Sequence, residues 1–320
     1  DIYVMPPPPR RSPIPIHTPL TRIGYPYAAV NPEKIIGIVE NNEADRVHGF
    51  LKPDETSQQI AGHVVAFLID EMKAGRIPPG FLPLQAGVGN IANSVLLTMG
   101  QHPDIPPFAM YSEVFQDAMV DLLMSEKLTG ASACSLTVTS SKLDQITDNL
   151  DFFIPRIVLR PQEITNHPGI IRRLGVIALN TALEIDIYGN VNSSHLYGTD
   201  VLNGIGGSGE FTRNSYLSVF MTSSIARGGK ISSVVPMCPH IDSNEHSVQV
   251  VVTEQGLADL RGLGPMQRAR RIIENCAHPA YRDYLHKYVQ TARVGHIRHD
   301  LSDCFELHRN LLANGTMLPQ

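Results

Sequence analysis

The sequence lacks a surplus of positive charge, long apolar runs and paired cysteines, and each shortage removes a class of function. With 31 acidic against 26 basic residues the net charge is −5, which argues against a nucleic-acid-binding surface. No apolar stretch approaches the roughly 20 residues of a membrane span. The four cysteines, Cys134, Cys238, Cys276 and Cys304, are scattered, so free thiols in a reducing compartment are expected rather than a disulfide framework. Neither a signal peptide nor a short-period repeat is legible. What is present is 320 residues, 42% of them hydrophobic, enough for a sizeable core and room for two domains.

The most informative stretch runs from Pro83 to Leu123. Phe81 to Gln85 reads as a strand. Gly87-Val88-Gly89-Asn90 follows as a turn that side chains would crowd, opening a helix with Ile91, Val95 and Leu96 on one side. A second apolar strand, Phe108 to Tyr111, ends at Ser112-Glu113. In open α/β sheets ligands bind beyond the carboxyl ends of the strands, so the glycine turn and Glu113 are expected on one edge. A carboxylate facing backbone N–H groups across a cleft is what acyl transfer through a carboxylate nucleophile requires.

Elsewhere, Lys34 to Val39 reads as a short apolar strand. Thr56-Ser57-Gln58-Gln59 resembles a capping box before a helix with Ile60, Val64, Phe67, Leu68 and Met72 on its core side. Gly75 is expected to end that helix. Strands are expected at Ser135–Val138, Arg156–Arg160 and Val176–Asn180, the last leading to a turn at Tyr188-Gly189-Asn190. Ile164 to Leu174, Met266 to Cys276 and Ala280 to Val289 read as helices. The expected fold is therefore α/β, a mostly parallel sheet with helices on both faces.

Two further groups invite a binding role. Gly204-Ile205-Gly206-Gly207-Ser208-Gly209 is a literal G-x-G-x-x-G, but the strand before it is too short. No acid stands about 20 residues later, where Arg227-Gly228-Gly229-Lys230 falls, so the dinucleotide reading lacks its context. A loop this rich in glycine can instead turn consecutive N–H groups toward a developing negative charge. Cys238, His240, Asp242 and His246 have no spacing that unites them as a zinc site. Arg156, Arg160, Arg172 and Arg173 read as solvated or paired, with a phosphate contact as the alternative.

Taken together, the chain resembles the acetyl-CoA hydrolase/transferase family of class I CoA-transferases from about Arg22 to Leu318. The matching runs are Leu84–Asn93, Tyr111–Val114, Ile157–Glu163, Asp186–Asn192, Asn203–Gly209 and Val252–Gly262. The resemblance implies a CoA-transferase-like second domain over 45–320. Residues 1–44 would be a connector and tail from an upstream α/β domain missing from this sequence, a division also suggested by the proline-rich start without methionine. It implies CoA transfer between small carboxylic acids, acetate and succinate among them, through a glutamyl-CoA thioester on Glu113, with acetyl-CoA hydrolysis as the nearest rival. A non-catalytic CoA-binding partner is the alternative from another class.

By the same resemblance, Val88 or Gly89 supplies one oxyanion donor and Gly207 another. Asn166 either holds the incoming carboxylate or merely sits at the start of a helix. Glu254 either orients groups around Glu113 or stands near enough that one of the two carboxylates has a raised pKa. Gly87, Asn90, Gly204, Gly206 and Gly209 would line the CoA site. Coenzyme A is expected as a substrate, with no resident cofactor and no metal. The implied setting is a homodimer in the cytoplasm, or in the mitochondrial matrix of a eukaryote.

Overall fold

Strands buried on both faces tend to be written as short continuous apolar runs; Ile177–Thr181, Leu217–Met221 and Val250–Thr253 are of this kind, and they join five further short strands in the central sheet. The computed structural model describes residues 12–43 and 53–318. The strands are β1 (Leu84–Ala86), β2 (Phe108–Tyr111), β3 (Leu128–Ala133), β4 (Ile157–Leu159), β5 (Ile177–Thr181), β6 (Leu217–Met221), β7 (Val250–Thr253) and β8 (Gly256–Asp259). Their order across the sheet is β8-β7-β6-β5-β1-β2-β3-β4. All neighbours are parallel except β7 and β8. The chain thus walks outward from β1 to β4, returns to the other side of β1, and walks outward again. The reversal between β1 and β5 is a topological switch point, where the crossovers diverge and leave a crevice at the strands' carboxyl ends.

Alternation along each strand supplies two faces. Leu84, Met110, Ile177, Leu179, Val219 and Val250 point to one face, where they pack with α1 (Glu55–Lys73), α2 (Asn90–Gln101) and α3 (Asp117–Met124). On the other face, Tyr111 and Ala178 pack with α4 (Pro168–Leu174) and α5 (Ser208–Asn214). Phe220 and Val251 pack there with α6 (Pro265–Cys276), α7 (Pro279–Thr291) and α8 (Glu306–Asn314). Each fully buried Ile60, Val64 or Leu68 of α1 contributes roughly 1.5–3 kcal/mol. The mostly parallel α/β sheet with helices on both faces is the fold expected from the sequence.

Several local expectations need correction. Residues 34–39 form no strand: Pro32–Lys34 is one turn of 3-10 helix, and Ile36, Ile38 and Val39 are exposed. Helix α1 is capped by Asp54, whose carboxylate accepts from Ser57 N at 2.8 Å. The Thr56 capping box does not form, because the better acceptor lies two residues earlier. Gly75, at φ +70, does follow the end of that helix. The strand placed at 135–138 shrinks to Ser135–Leu136, and the sheet instead takes Leu128–Ala133. Strands β6, β7 and β8 were not anticipated. Residues 24–43 are exposed, while part of the N-terminal segment packs on the domain, with Ile14 and Ile16 buried. Its carbonyls are bound by Arg173, at Ile14 O and Ile16 O, and by Arg160, at Pro19 O and Thr21 O. The proline-rich start and the boundary at 44/45 lie outside the described residues.

A buried carboxylate with two arginines ties the end of α1 to the segment after β8. Glu71, near the end of α1, accepts from Arg261 at 2.8 and 2.9 Å and from Arg76 at 2.9 and 2.6 Å. Hydrogen bonds from Arg261, then Arg76, lower its pKa from 4.5 to about 2. Its folded pKa lies below the unfolded one, so the stabilisation is complete above about pH 4.5 and is lost as pH falls toward 2. We expect Glu71→Ala to cost about 2–3 kcal/mol at neutral pH, roughly the size of the pKa shift, since Arg76 is half exposed and Arg261 keeps Asp259; urea unfolding measures it. The difference from the parent should shrink in acid, and a pH-independent difference would refute the ionic origin.

Candidate active site

Strands β2 and β3 each break off beyond the sheet and resume as Val114–Phe115 and Ser135–Leu136, paired in parallel. Glu113 sits in the break. Its backbone carbonyl accepts from Cys134 N at 2.9 Å and Ser135 N at 3.3 Å, so the main chain is pinned while the side chain projects over the sheet's edge. Ser112 ties this point to β1 through its hydroxyl, which donates to Ala86 O at 3.1 Å.

The carboxylate of Glu113 meets three donors from two other crossovers. Gly207 N donates to Oε2 at 2.7 Å. Asn166 Nδ2 and Gln162 Nε2 each donate to Oε1 at 3.3 Å. Gly207 is the N-cap of α5 in the β5–β6 crossover. Gln162 and Asn166 belong to the one-turn helix Gln162–Thr165 and its cap, between β4 and β5. Tyr111 fixes that turn against β2, its hydroxyl donating to Ile164 O at 2.9 Å, and burial raises the Tyr111 pKa so that the proton stays.

Steric requirements differ among the glycines. A Cβ on Gly207 would lie 2.7 Å from Asn166 Nδ2 and 2.8 Å from Glu113 Oε2, far inside contact. Gly206 combines φ +55 with a Cβ position 3.2 Å from Glu113 Oε2. Crowding was also expected in the first turn, but the Cβ position of Gly87 is an ordinary 3.6 Å from Leu179 O and that of Gly89 is open. What demands glycine at 89 is its φ of +126. Gly204 is likewise open, and Gly209 meets only Ile205 at 3.7 Å.

The first turn lies at the same edge without touching Glu113 among the described hydrogen bonds. Gly87 N donates to Leu179 O at 2.9 Å across the switch point, and buried Gln116 donates to Gly87 O at 3.0 Å. Val88, Gly89, Asn90 and Ile91 line a cavity of about 320 Å³ with Asp54, Ser57, Thr181 and Ser223. Glu254, just beyond β7, is held elsewhere. Ser224 donates to it from its backbone N at 2.8 Å and from its hydroxyl, and Gln255 Nε2 donates at 3.1 Å. Burial opposes ionisation there, but these hydrogen bonds outweigh it and lower the pKa. Glu254 itself is therefore not a carboxyl of raised pKa.

Gln162 was missed, although it stands one helical turn before Asn166, on the same face. The arginines are accounted for locally. Arg160 also donates to Ser132 Oγ, Arg172 to Asn214 Oδ1, and Arg156 to Phe152 O while covering the Phe152 ring. The Cys238 group does not assemble: the Cys238 thiol is buried, its pKa pushed well up by that burial, and His246 points outward beside Glu245. His240 and Asp242 instead meet His195. In the second glycine loop, the Gly207 N–H that a dinucleotide phosphate would need is spent on Glu113.

With this geometry in hand, comparison with known proteins is informative. Residues 143–289 match the acetyl-CoA hydrolase/transferase C-terminal domain. The chain is 59% identical over 318 residues to propanoyl-CoA:succinate CoA transferase of Escherichia coli, covering 99% of this chain and 65% of that protein. It is 45% identical to acetyl-CoA hydrolase of Schizosaccharomyces pombe, covering 99% of this chain and 63% of the relative. Among solved structures, RipA from Yersinia pestis superposes with a TM-score of 0.61 at 25% identity, over 79% of this chain and 55% of that one. The chain thus spans less than two thirds of the length of these relatives. It belongs to the acetyl-CoA hydrolase/transferase family.

Proposed function

We propose that the protein of which this chain forms part transfers coenzyme A between small carboxylic acids, with Glu113 as nucleophile. The observation that carries this reading is the carboxylate beyond the carboxyl end of β2, held by the Gly207 N–H and flanked by the Asn166 amide. The relatives named for propanoyl-CoA:succinate transfer and for acetyl-CoA hydrolysis support it.

The two carboxylate oxygens are held unequally. Oε2 lies 2.7 Å from an N–H that a short glycine loop fixes, whereas Oε1 faces two side-chain amides at 3.3 Å. Oε1 is thus the freer oxygen to attack the acyl-CoA carbonyl, forming a mixed anhydride and expelling CoA thiolate. The thiolate then adds to the Glu113 carbonyl carbon, and negative charge develops on Oε2, already in contact with Gly207 N–H. Collapse breaks the bond to Oε1, leaving a glutamyl-CoA thioester and the first acid. An incoming carboxylate reverses these steps, so the thioester energy is retained without ATP. Preorganised donors of this kind avoid reorganisation as charge develops. Val88 or Gly89 would serve the oxyanion on the acyl side, and Asn166 would hold the exchanging carboxylate through its Nδ2, the donor that faces Glu113 Oε1. Glu254 would act on the site through Ser224 rather than by contact. The glycines at 204, 206 and 209 and Asn90 would border bound CoA. No metal or resident cofactor enters any step, and the homodimer and matrix or cytoplasmic setting belong to this same reading. Among the described residues no helix is long and apolar enough to cross a membrane.

Incubation with acetyl-CoA and succinate, following both CoA esters and free thiol, tests the proposal. Transfer predicts succinyl-CoA without thiol. Thiol released without succinyl-CoA would favour hydrolysis, in which water intercepts an acyl-enzyme species.

A further inference from the structure

The segment leading into the second glycine loop carries a polar cluster that the reading of Glu113 does not use. Ser194 and His195 stand at the root of a hairpin formed by His195–Leu196 and Asp200–Val201. His240 and Asp242 reach them from a separate loop. One donor atom from each of His195, His240 and Asp242 lies within 4.8 Å of the other two, in a half-buried setting. The two imidazoles stack, with ring centroids 3.8 Å apart and planes tilted by 36°. His240 Nε2 lies 3.1 Å from Asp242 Oδ1.

We propose that His195, His240 and Asp242 form a binding site for a divalent transition-metal cation of the zinc class. Two imidazoles and a carboxylate are a three-ligand set that such an ion takes while keeping an open position for water. Nitrogen-rich donors favour zinc, cobalt or nickel over calcium or magnesium. On a four-coordinate ion with bonds of about 2.0–2.1 Å, neighbouring donors stand about 3.3 Å apart. His240 and Asp242 are already near that separation, across a proton the ion would displace. Binding requires the stacked rings to swing apart toward one centre.

The surrounding hydrogen bonds are those that orient metal ligands. The Ser194 hydroxyl lies 2.8 and 2.7 Å from the two Asp242 oxygens and 2.8 Å from His195 Nδ1. A hydroxyl has one proton, and an ionised carboxylate can only accept. Ser194 therefore donates to Asp242 and accepts from His195 Nδ1–H, leaving the His195 Nε2 lone pair for the ion. Asp242 is further fixed by Ser193 N at 2.7 Å. Imidazole ligands held through their other nitrogen, and carboxylates held by further donors, are the usual support of a metal site.

The ion would cross-link the root of a functional loop rather than take part in transfer. Ser194 O accepts from Leu202 N at 2.8 Å, and Asn203 Nδ2 donates to Ser193 O at 2.7 Å. Gly204 to Gly207 follow directly.

The test uses the metal-stripped 320-residue chain, titrated with Co²⁺ and then Zn²⁺. The expected result is uptake of one ion per chain, with the strong visible absorption of four- or five-coordinate Co²⁺. Zinc should displace it, and the melting temperature should rise with metal concentration. His195→Ala and His240→Ala should each abolish uptake while leaving the bonds from Asp242 to Ser193 and Ser194 intact. Ser194→Ala should weaken affinity about 10–100-fold. No uptake, or uptake indifferent to both histidine substitutions, would overturn the proposal and leave the stacked histidines as a hydrogen-bonding pair only. Because binding is read without turnover, this result and that of the CoA-transfer experiment stand or fall separately.

Discussion

Glu113→Ala is expected to reduce CoA exchange to background and to remove any covalent CoA adduct. In the parent chain, acyl-CoA without an acceptor acid should leave CoA in thioester linkage on the peptide containing Ser112-Glu113-Val114, seen as a mass increase. Borohydride or hydroxylamine should then inactivate, but only after acyl-CoA has been added. The substitution leaves Gly207 N without its acceptor and supplies no other attacking oxygen. Glu113→Asp keeps the carboxylate but withdraws it by one methylene, past the reach of Gly207 N–H. A displacement of about 1 Å can cost on the order of 10²-fold in rate, so it too should be severely impaired. Retained exchange in Glu113→Ala together with its loss in Glu254→Ala would move the nucleophile to the other glutamate.

Gly207→Ala is expected to lower turnover by about 10²–10³-fold, the effect of losing one oxyanion donor. Gly207 has φ −81, a value any residue can adopt, so backbone strain is not the cause. The added carbon would lie 2.7 Å from Asn166 Nδ2 and 2.8 Å from Glu113 Oε2. Both are ends of movable side chains, and the protein should fold with its carboxylate and amide pushed out of place. Gly207→Val should enlarge the effect. Unchanged circular dichroism and melting temperature with lost turnover would match this expectation. Near-normal turnover would reduce the loop to a turn.

The sequence made the site's frame legible where chemistry and local pattern coincide. Phe108–Tyr111 ends in an acid, so the strand and Glu113 could be read together. Leu128–Ala133 was invisible because four of its six residues are Gly130, Ala131, Ser132 and Ala133, without the branched or aromatic bulk that marks a strand. The smallness has a tertiary origin: a Cβ on Gly130 would stand 2.5 Å from Leu20 Cδ1 of the N-terminal segment. Residues 34–39 show the reverse error, since apolar character alone does not supply a neighbouring strand to pair with. The side chain of Glu254 could not be placed because its partner, Ser224, lies on another crossover. Gln162 left a readable signal in its four-residue spacing from Asn166.

The unequal grip on the two oxygens of Glu113 gives them different histories. If transfer proceeds as proposed, Oε1 departs with the first acid and is replaced by an oxygen from the second, so it is a passenger renewed at every turnover. Oε2, kept on Gly207 N–H, stays through every cycle unless the carboxylate turns over between them. The hydrogen bond that steadies the nucleophile thereby decides which atom belongs permanently to the protein and which is on loan from its substrates.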